Sequence, residues 1–184
     1  MRIIAGQWRG RVLKAPPGAT TRPTSDRTRE ALFSMLVSRL GSFEGLAVAD
    51  VFAGSGALGL EALSRGATSC TFIDQDREAV KAIRANIAML GANAEVLPVA
   101  VSAIGPSRRT YDLLMFDPPY GSGGAGALLE KMTRLGWAAD AAWAAVETRN
   151  DESVSAEGWT LDAERSYGIA KLSVLYRTTP AQSG

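Results

Sequence analysis

Two short strings carry the residues best suited to chemistry. In Asp50-Val51-Phe52-Ala53-Gly54-Ser55-Gly56-Ala57-Leu58-Gly59, three glycines stand in the G-x-G-x-x-G pattern. Glycines so spaced permit a tight turn and a close approach of backbone to a ligand. Asp74 follows Gly54 by 20 residues, where a carboxylate can accept hydrogen bonds from two ribose hydroxyls. The pair points to a ribose-bearing cofactor. The second string is Asp117-Pro118-Pro119-Tyr120. Two consecutive prolines restrict the backbone and remove two N–H donors. They fix the direction of the Asp117 carboxylate and the Pro118 carbonyl, and project Tyr120 from a rigid turn. This suits an exocyclic amino group on a nucleobase, a poor nucleophile because its lone pair is delocalised into the ring. Two acceptors gripping its hydrogens favour a more pyramidal nitrogen, and the carboxylate stabilises positive charge that develops there. Tyr120 can stack on the base, worth about 1–3 kcal/mol.

Composition excludes other chemistries. The chain has no histidine and a single cysteine, Cys70. Imidazole bases, Ser-His-Asp triads, internal disulfides and cysteine metal clusters are ruled out, and no metal site is expected. Cys70 lies in the apolar run Thr68–Ile73 and reads as a buried strand residue. No apolar run reaches the roughly 18 residues of a membrane span, and the N-terminus lacks the apolar stretch of a signal peptide. The expectation is a cytoplasmic protein with no membrane contact. Charge is uneven: residues 1–45 hold 8 Lys/Arg against 3 Asp/Glu, whereas residues 46–184 hold 12 against 16. A basic N-terminal segment on an acidic body suggests a polyanion contacted from one end.

The elements that must position these strings follow from periodicity. Residues 2–15 read as a strand pair with Gly6 and Gly10 near its turn, and residues 16–25 as an irregular, proline-rich linker. Asp26–Leu40 is helical, with Leu32, Leu36 and Leu40 on one stripe widened by Phe33 and Val37; Thr24, Ser25 or Asp26 can cap it. From Leu46 strands and helices alternate: strand Leu46–Val51, helix Ala57–Arg65, strand Thr68–Ile73, helix Asp76–Leu90 ended by Gly91, strand Glu95–Val99. Strand Asp112–Phe116, helix Ala125–Leu135 and strand Ala142–Glu147 follow. This order implies a parallel sheet covered on both faces. Trp159–Glu164 and Ile169–Thr178 read as a C-terminal antiparallel hairpin turning near Ser166-Tyr167-Gly168, at or near one sheet edge. The expected architecture is thus α/β, one domain over 1–184, with a basic N-terminal hairpin and linker over 1–25 and a cofactor-binding catalytic body over 26–184. Trp137, Trp143 and Trp159 read as core residues.

The glycine loop alone does not fix the cofactor. In a dinucleotide site the helix N-terminus receives a pyrophosphate. Asp50, four residues before Gly54, would repel one, which favours S-adenosylmethionine over a nicotinamide dinucleotide. The string from Asp50 to Leu60 also resembles motif I of class I S-adenosylmethionine-dependent methyltransferases. With Asp117-Pro118-Pro119-Tyr120, it resembles enzymes that methylate amino groups of adenine, guanine or glutamine. Two N-terminal strings narrow this: Arg2-Ile3-Ile4-Ala5-Gly6-Gln7-Trp8-Arg9-Gly10-Arg11 and Arg22-Pro23-Thr24-Ser25-Asp26-Arg27-Thr28-Arg29-Glu30-Ala31-Leu32-Phe33. They are similar to the RsmD-type family, and the resemblance runs from Arg2 to about Tyr176.

That resemblance implies a Rossmann-like class I methyltransferase sheet with an N-terminal β-hairpin that contacts RNA. The implied activity is methylation of the N2 amino group of one guanine in 16S ribosomal RNA by a monomer acting on ribosomal RNA or the small subunit. It implies catalytic roles for Asp117, Pro118, Pro119 and Tyr120. Cofactor contacts are implied at Asp50, Phe52, Ala53, Gly54, Gly56, Asp74, Gln75, Ala100, Val101 and Asp117. RNA contacts are implied at Arg2, Trp8, Arg9, Arg11, Arg22, Thr24 and Arg27. The chain departs from the family pattern at Ala5, usually glycine, and Ser34, usually asparagine. Position 100 often carries Asp or Asn to hold the adenine amino group; with Ala100, backbone near Ala100 and Val101 must substitute. From the residues themselves, Arg2, Arg9, Arg11 and Lys14 beside Trp8 supply phosphate-directed charge plus one stacking plane.

Three other readings compete. An adenine-N6 methyltransferase acting on DNA or RNA would use the same tetrapeptide, but no separate target-recognition domain is evident in 184 residues. An NAD-dependent oxidoreductase is disfavoured by Asp50 and the absence of an obvious proton donor. A non-catalytic RNA-binding module is disfavoured by the intact Gly54, Gly56, Asp74 and Asp117.

Overall fold

The computed structural model describes residues 1–18, 25–121 and 124–178. Seven strands form one sheet: β1 (Ala47–Val51), β2 (Ser69–Ile73), β3 (Ala94–Leu97), β4 (Tyr111–Phe116), β5 (Ala138–Arg149), β6 (Trp159–Tyr167) and β7 (Ala170–Arg177). Their order is β3-β2-β1-β4-β5-β7-β6. Strands β1 to β5 pair in parallel, whereas β7 runs antiparallel between β5 and β6. The fold is the Rossmann-like class I arrangement, and the C-terminal hairpin inserts its last strand next to β5.

Alternation in the strands sends side chains to two cores. Val48, Leu113 and Met115 pack with Leu32, Phe33, Leu36, Leu60, Phe72 and Ile83 on one face. Ala49, Val51, Leu114 and Phe116 pack with Leu129, Met132, Trp137 and Trp159 on the other. Trp137 and Trp159 are core residues as expected; Trp143 is partly buried, tilted against Tyr176 at 5.6 Å. Cys70 is fully buried, and burial pushes its thiol well above the ordinary range, so it is an inert packing residue.

Four helices cover the sheet: α1 (Asp26–Leu40), α2 (Ala57–Ser64), α3 (Arg77–Leu90) and α4 (Ala125–Arg134). Ser25 caps α1 by accepting the Thr28 N–H at 3.1 Å, and Asp76 caps α3 through Ala79 at 2.8 Å. The buried face of α1 is set by Arg29, Leu32, Phe33 and Leu36, and Val37 is 37% exposed. Leu32 and Leu36 lie on the expected stripe and Leu40 packs partly buried against the core, but Val37 falls off it. Gly59, third in the glycine pattern, is where α2 crosses β2. A Cβ there would sit 2.4 Å from the Phe72 ring and 2.6 Å from Cys70 Sγ, so only glycine lets the helix lie this close.

Several boundaries differ from the sequence expectation. β3 stops at Leu97, because Pro98 has no N–H to continue the ladder. β5 begins at Ala138, four residues early; its alanines carry little strand signal, and pairing with β4 supplies the order. The hairpin turns at Gly168 and Ile169, with Gly168 at φ 61°.

The N-terminal strand pair is reduced to a single antiparallel bridge, Arg2 with Val12. The Ile3, Gly10 and Leu13 N–H groups still donate across the pair, to the Arg11, Ile3 and Met1 carbonyls at 3.0, 2.8 and 2.9 Å, and other backbone groups find partners on the body. Glu61, fully buried on α2, accepts from the Ile4 N–H at 2.9 Å and the Ala5 N–H at 3.0 Å. Ser64 takes the Trp8 N–H at 3.0 Å and donates to the Ala5 carbonyl at 2.6 Å. Asn86, fully buried on α3, bonds both the N–H and the carbonyl of Lys14, at 2.8 and 2.9 Å, and donates to the Ser55 carbonyl at 3.1 Å. Ile3 and Leu13 join the first core. The segment is fixed from both sides because each buried backbone group must be paired.

Candidate active site

Sheet register brings the chemistry together. Val51 pairs with both Ile73 and Phe116, and Phe116 pairs with Val146. The next residue on each strand is therefore at one rim: Phe52 after β1, Asp74 after β2, Asp117 after β4, and Glu147 on β5. Strand order changes direction between β1 and β4, the switch point where open α/β sheets bind ligands.

The loop after β1 is held tightly. Ala53 N–H reaches the Ile73 carbonyl at 3.1 Å, and Gly54 N–H reaches Asp74 Oδ2 at 2.8 Å. Asp74 Oδ1 also takes the Asp76 N–H at 2.9 Å. Phe52 adopts φ 61°, the sole non-glycine residue with positive φ among those described. A bulky residue there is strained by about 1–3 kcal/mol and is held by its surroundings. Phe52 separates two cavities. One, of about 130 Å³, is lined by Met1, Pro16, Arg29, Asp50, Ala53, Gly54, Ser55, Ala57, Leu58 and Asp117. The other, of about 360 Å³, is lined by Asp74, Gln75, Asp76, Val101, Asp117 and Pro119. Phe52 and Asp117 border both.

These linings bring together Asp50, Phe52, Ala53, Gly54, Asp74, Gln75, Val101 and Asp117 from the set named on sequence. Gly56 and Ala100 lie outside both. Gly56 shapes the loop, donating its N–H to Ala53 at 2.8 Å. The Ala100 carbonyl accepts the Ala103 N–H at 2.9 Å in a short 3-10 turn, and the buried Val101 faces the site. Pro118 is buried and Pro119 exposed. The Tyr120 hydroxyl reaches Glu147 Oε1 at 3.3 Å, so β5 also helps set the tyrosine.

Asp50 is fully buried and accepts the Gly59 N–H at 2.8 Å. Burial, the largest cause, pushes its carboxyl well above the usual range; the Gly59 bond opposes this, and the charges of Asp117 and Asp74 add to it. A raised value means that the protonated form stabilises the fold. That contribution is complete below the ordinary carboxylate value and is lost as pH rises through the raised one. The Asp50→Asn variant, neutral throughout, is expected to melt higher than wild type at alkaline pH and to match it in acid. Melting temperature measured against pH checks this; a constant difference across the range would remove Asp50 from the account.

Arg2, Arg9, Arg11, Lys14 and Arg27 are exposed, and Trp8 is partly buried against the core. Arg22 and Thr24 lie outside the described residues. On sequence, Arg29 stands with Arg22 and Arg27 flanking the glycine-loop side but has no site role, and Glu61, Asn86 and Glu147 have none either. Arg29 is 1% exposed and lines the smaller cavity. A signal for it existed: Arg29 stands three, four and seven residues before Leu32, Phe33 and Leu36, a cation on the apolar stripe. Asn86 occupies the same register as Ala79, Ala82 and Ile83 on α3.

Comparison with known proteins agrees with this fold. The family described as Conserved hypothetical protein 95 matches residues 1–176. Ribosomal RNA small subunit methyltransferase D of Escherichia coli is 38% identical over 191 residues, covering 100% of this chain and 93% of the relative. The protein of the same name from Haemophilus influenzae is 34% identical, with 92% and 90% covered. The solved structure of yhhF from Escherichia coli superposes with a TM-score of 0.82 at 39% identity, covering 98% of this chain and 99% of that one. Magnesium protoporphyrin IX methyltransferase from Synechocystis, solved with bound SAM, shares the fold alone, with a TM-score of 0.63 at 16% identity and 83% and 79% covered. The near-complete match makes this chain a member of the Conserved hypothetical protein 95, or RsmD-type, family.

Proposed function

We propose that this chain is an S-adenosylmethionine-dependent ribosomal RNA methyltransferase that modifies the N2 amino group of a guanine in the 16S RNA of the small subunit. The observation that carries the reading is the position of Asp117, bordering both cavities beside the Pro118-Pro119 turn that holds Tyr120. The residues fit the cofactor chemically. Asp50 feels the charges of Asp74 and Asp117, and a cationic ligand relieves that repulsion where a pyrophosphate would worsen it. Asp74, Gln75 and Val101 would hold the nucleoside end, and Asp50 with the Phe52–Gly54 loop the charged end. When bound, S-adenosylmethionine supplies a methyl carbon activated by its sulfonium.

The chain's own residues do the rest. Asp117 and the Pro118 carbonyl accept the two amino hydrogens and orient the nitrogen lone pair; the carboxylate then faces the positive charge that grows on nitrogen. Tyr120, steadied by Glu147, offers a stacking plane. A guanine in a structured region must rotate out to reach this rim. The exposed Arg2, Arg9, Arg11 and Arg27 would meet phosphates near the cavity that Met1 and Pro16 help to line. The reading carries with it a cytoplasmic, monomeric protein of one domain, acting on ribosomal RNA or the small subunit.

The test is methyl transfer from radiolabelled S-adenosylmethionine to small subunits lacking the modification, followed by digestion to nucleosides. Label is expected in N2-methylguanosine. Label in N6-methyladenine, with RNA or DNA as substrate, would keep the tetrapeptide chemistry and overturn the guanine assignment.

A further inference from the structure

Arg29 is an unusual residue to find where it is. Its side chain is 1% exposed, on the apolar face of α1, at the wall of the smaller cavity. One guanidinium nitrogen, Nη2, bonds the Arg2 carbonyl and, at 3.1 Å, Asp26 Oδ1. Nε and Nη1 are buried with no hydrogen-bond partner among the described residues. Buried donors are nearly always paired, and an unpaired buried charge costs several kcal/mol. Glu61 exerts the largest favourable electrostatic effect on it, but its oxygens are already taken by Ile4, Ala5 and Arg65. Burial pulls the Arg29 guanidinium below its ordinary value, and Glu61 and Asp26 only partly offset this. Packing alone would be served better by leucine or methionine.

The cavity explains the cation. Arg29, Asp50 and Asp117 all line its wall, so both signs of charge border a space of amino-acid size. An α-amino acid zwitterion has that complement. The phosphates of a dinucleotide do not, because two carboxylates border the same space. Resting on the cofactor reading above, we propose that Arg29 holds the carboxylate at the amino-acid end of the cofactor, with Asp50 facing its ammonium. Met1 and Pro16 complete the wall, so the N-terminal segment closes the pocket that Arg29 serves, and Arg29 ties the two together through the Arg2 carbonyl. Arg29 is thus a positioning residue: it sets where the amino-acid end sits.

The experiment compares two ligands that differ only beyond the sulfur. S-adenosylhomocysteine carries the amino-acid end; 5′-methylthioadenosine is the same nucleoside thioether without it. Binding of each is measured by titration calorimetry to wild type, Arg29→Met and Arg29→Lys. Wild type is expected to prefer S-adenosylhomocysteine. Arg29→Met should weaken that ligand by about 10- to 100-fold, as for the loss of a hydrogen bond to a charged group, and leave 5′-methylthioadenosine within about twofold. Arg29→Lys should recover part of the loss. Equal losses for both ligands, or none, would make Arg29 a fold element and overturn the proposal. Should Arg29→Met fail to fold, the wild-type protein still decides the matter. The ¹⁵Nε–Hε resonance of Arg29, identified by its disappearance in Arg29→Lys, should move with S-adenosylhomocysteine and stay put with 5′-methylthioadenosine. The same shift with both ligands, or with neither, overturns the anchor while the cofactor reading stands. Wild type that binds neither ligand would overturn the cofactor reading and the anchor with it.

Discussion

Asp117→Ala stops methyl transfer and leaves S-adenosylmethionine bound. The expected loss in turnover is about 10²- to 10³-fold or more, the size seen when one preorganised electrostatic group is removed from a transition state. Affinity for the cofactor should stay within about threefold, because the opposite walls of both cavities are untouched: Asp74, Gln75 and Val101 in one, Asp50, Gly54 and Arg29 in the other. The split follows from timing. Positive charge on the amino nitrogen appears only as the methyl arrives, so the interaction acts in the transition state and not on the bound cofactor. Asp117→Asn should recover little, since a neutral amide keeps one acceptor but loses the charge. Single-turnover kinetics with equilibrium dialysis on the same preparations check both halves. Turnover near wild type in Asp117→Ala would sink the mechanism. Loss of cofactor binding in step with turnover would turn Asp117 into a cofactor ligand alone.

Glu61→Ala is the second large effect, and it falls on stability. The change strands the Ile4 and Ala5 N–H groups, which donate to the two carboxylate oxygens, and removes the partner of Arg65, bonded at 2.9 Å. Nearby Arg29 loses an opposing charge as well. Breaking a buried pair in this way costs about 3–5 kcal/mol. The midpoint of urea unfolding should fall accordingly, with RNA and cofactor binding failing together. The sequence suggests a detachable RNA arm over residues 1–15. The buried Ile3 and Leu13 and the Asn86 bridge from Lys14 to Ser55 argue that the segment belongs to the body. Deleting it should therefore weaken both ligands, not RNA alone. A Glu61→Ala protein as stable as wild type that loses only RNA binding would restore the detachable arm.

The parallel body was legible in the sequence because apolar strands and amphipathic helices each bury a face at their own period, and that alternation admits few topologies. The order of the sheet then put residues following β1, β2 and β4 on one rim, so Gly54, Asp74 and Asp117 could be grouped from spacing alone. Glu147 could not, because nothing local marks the β5 residue that register sets beside Asp117 and Tyr120. β5 itself was read short, since its alanines gain strand character only from pairing with β4.

The N-terminal segment marks the clearest division. Its basic composition by itself determined that Arg2, Arg9 and Arg11 would be exposed charge, because ionised side chains stay in water unless paired. Whether those residues stand on a free hairpin or on a docked wall was decided only by tertiary structure. Glu61, Ser64 and Asn86 lie 56 to 72 residues away along the chain, yet take its backbone hydrogen bonds. Arg29 follows the same rule. Its place on the apolar stripe of α1 follows from the 3.6-residue period, but only the packed molecule shows that the stripe opens there onto a cavity bordered by Asp50 and Asp117. A buried charge takes its meaning from what faces it, and long-range packing alone decides that.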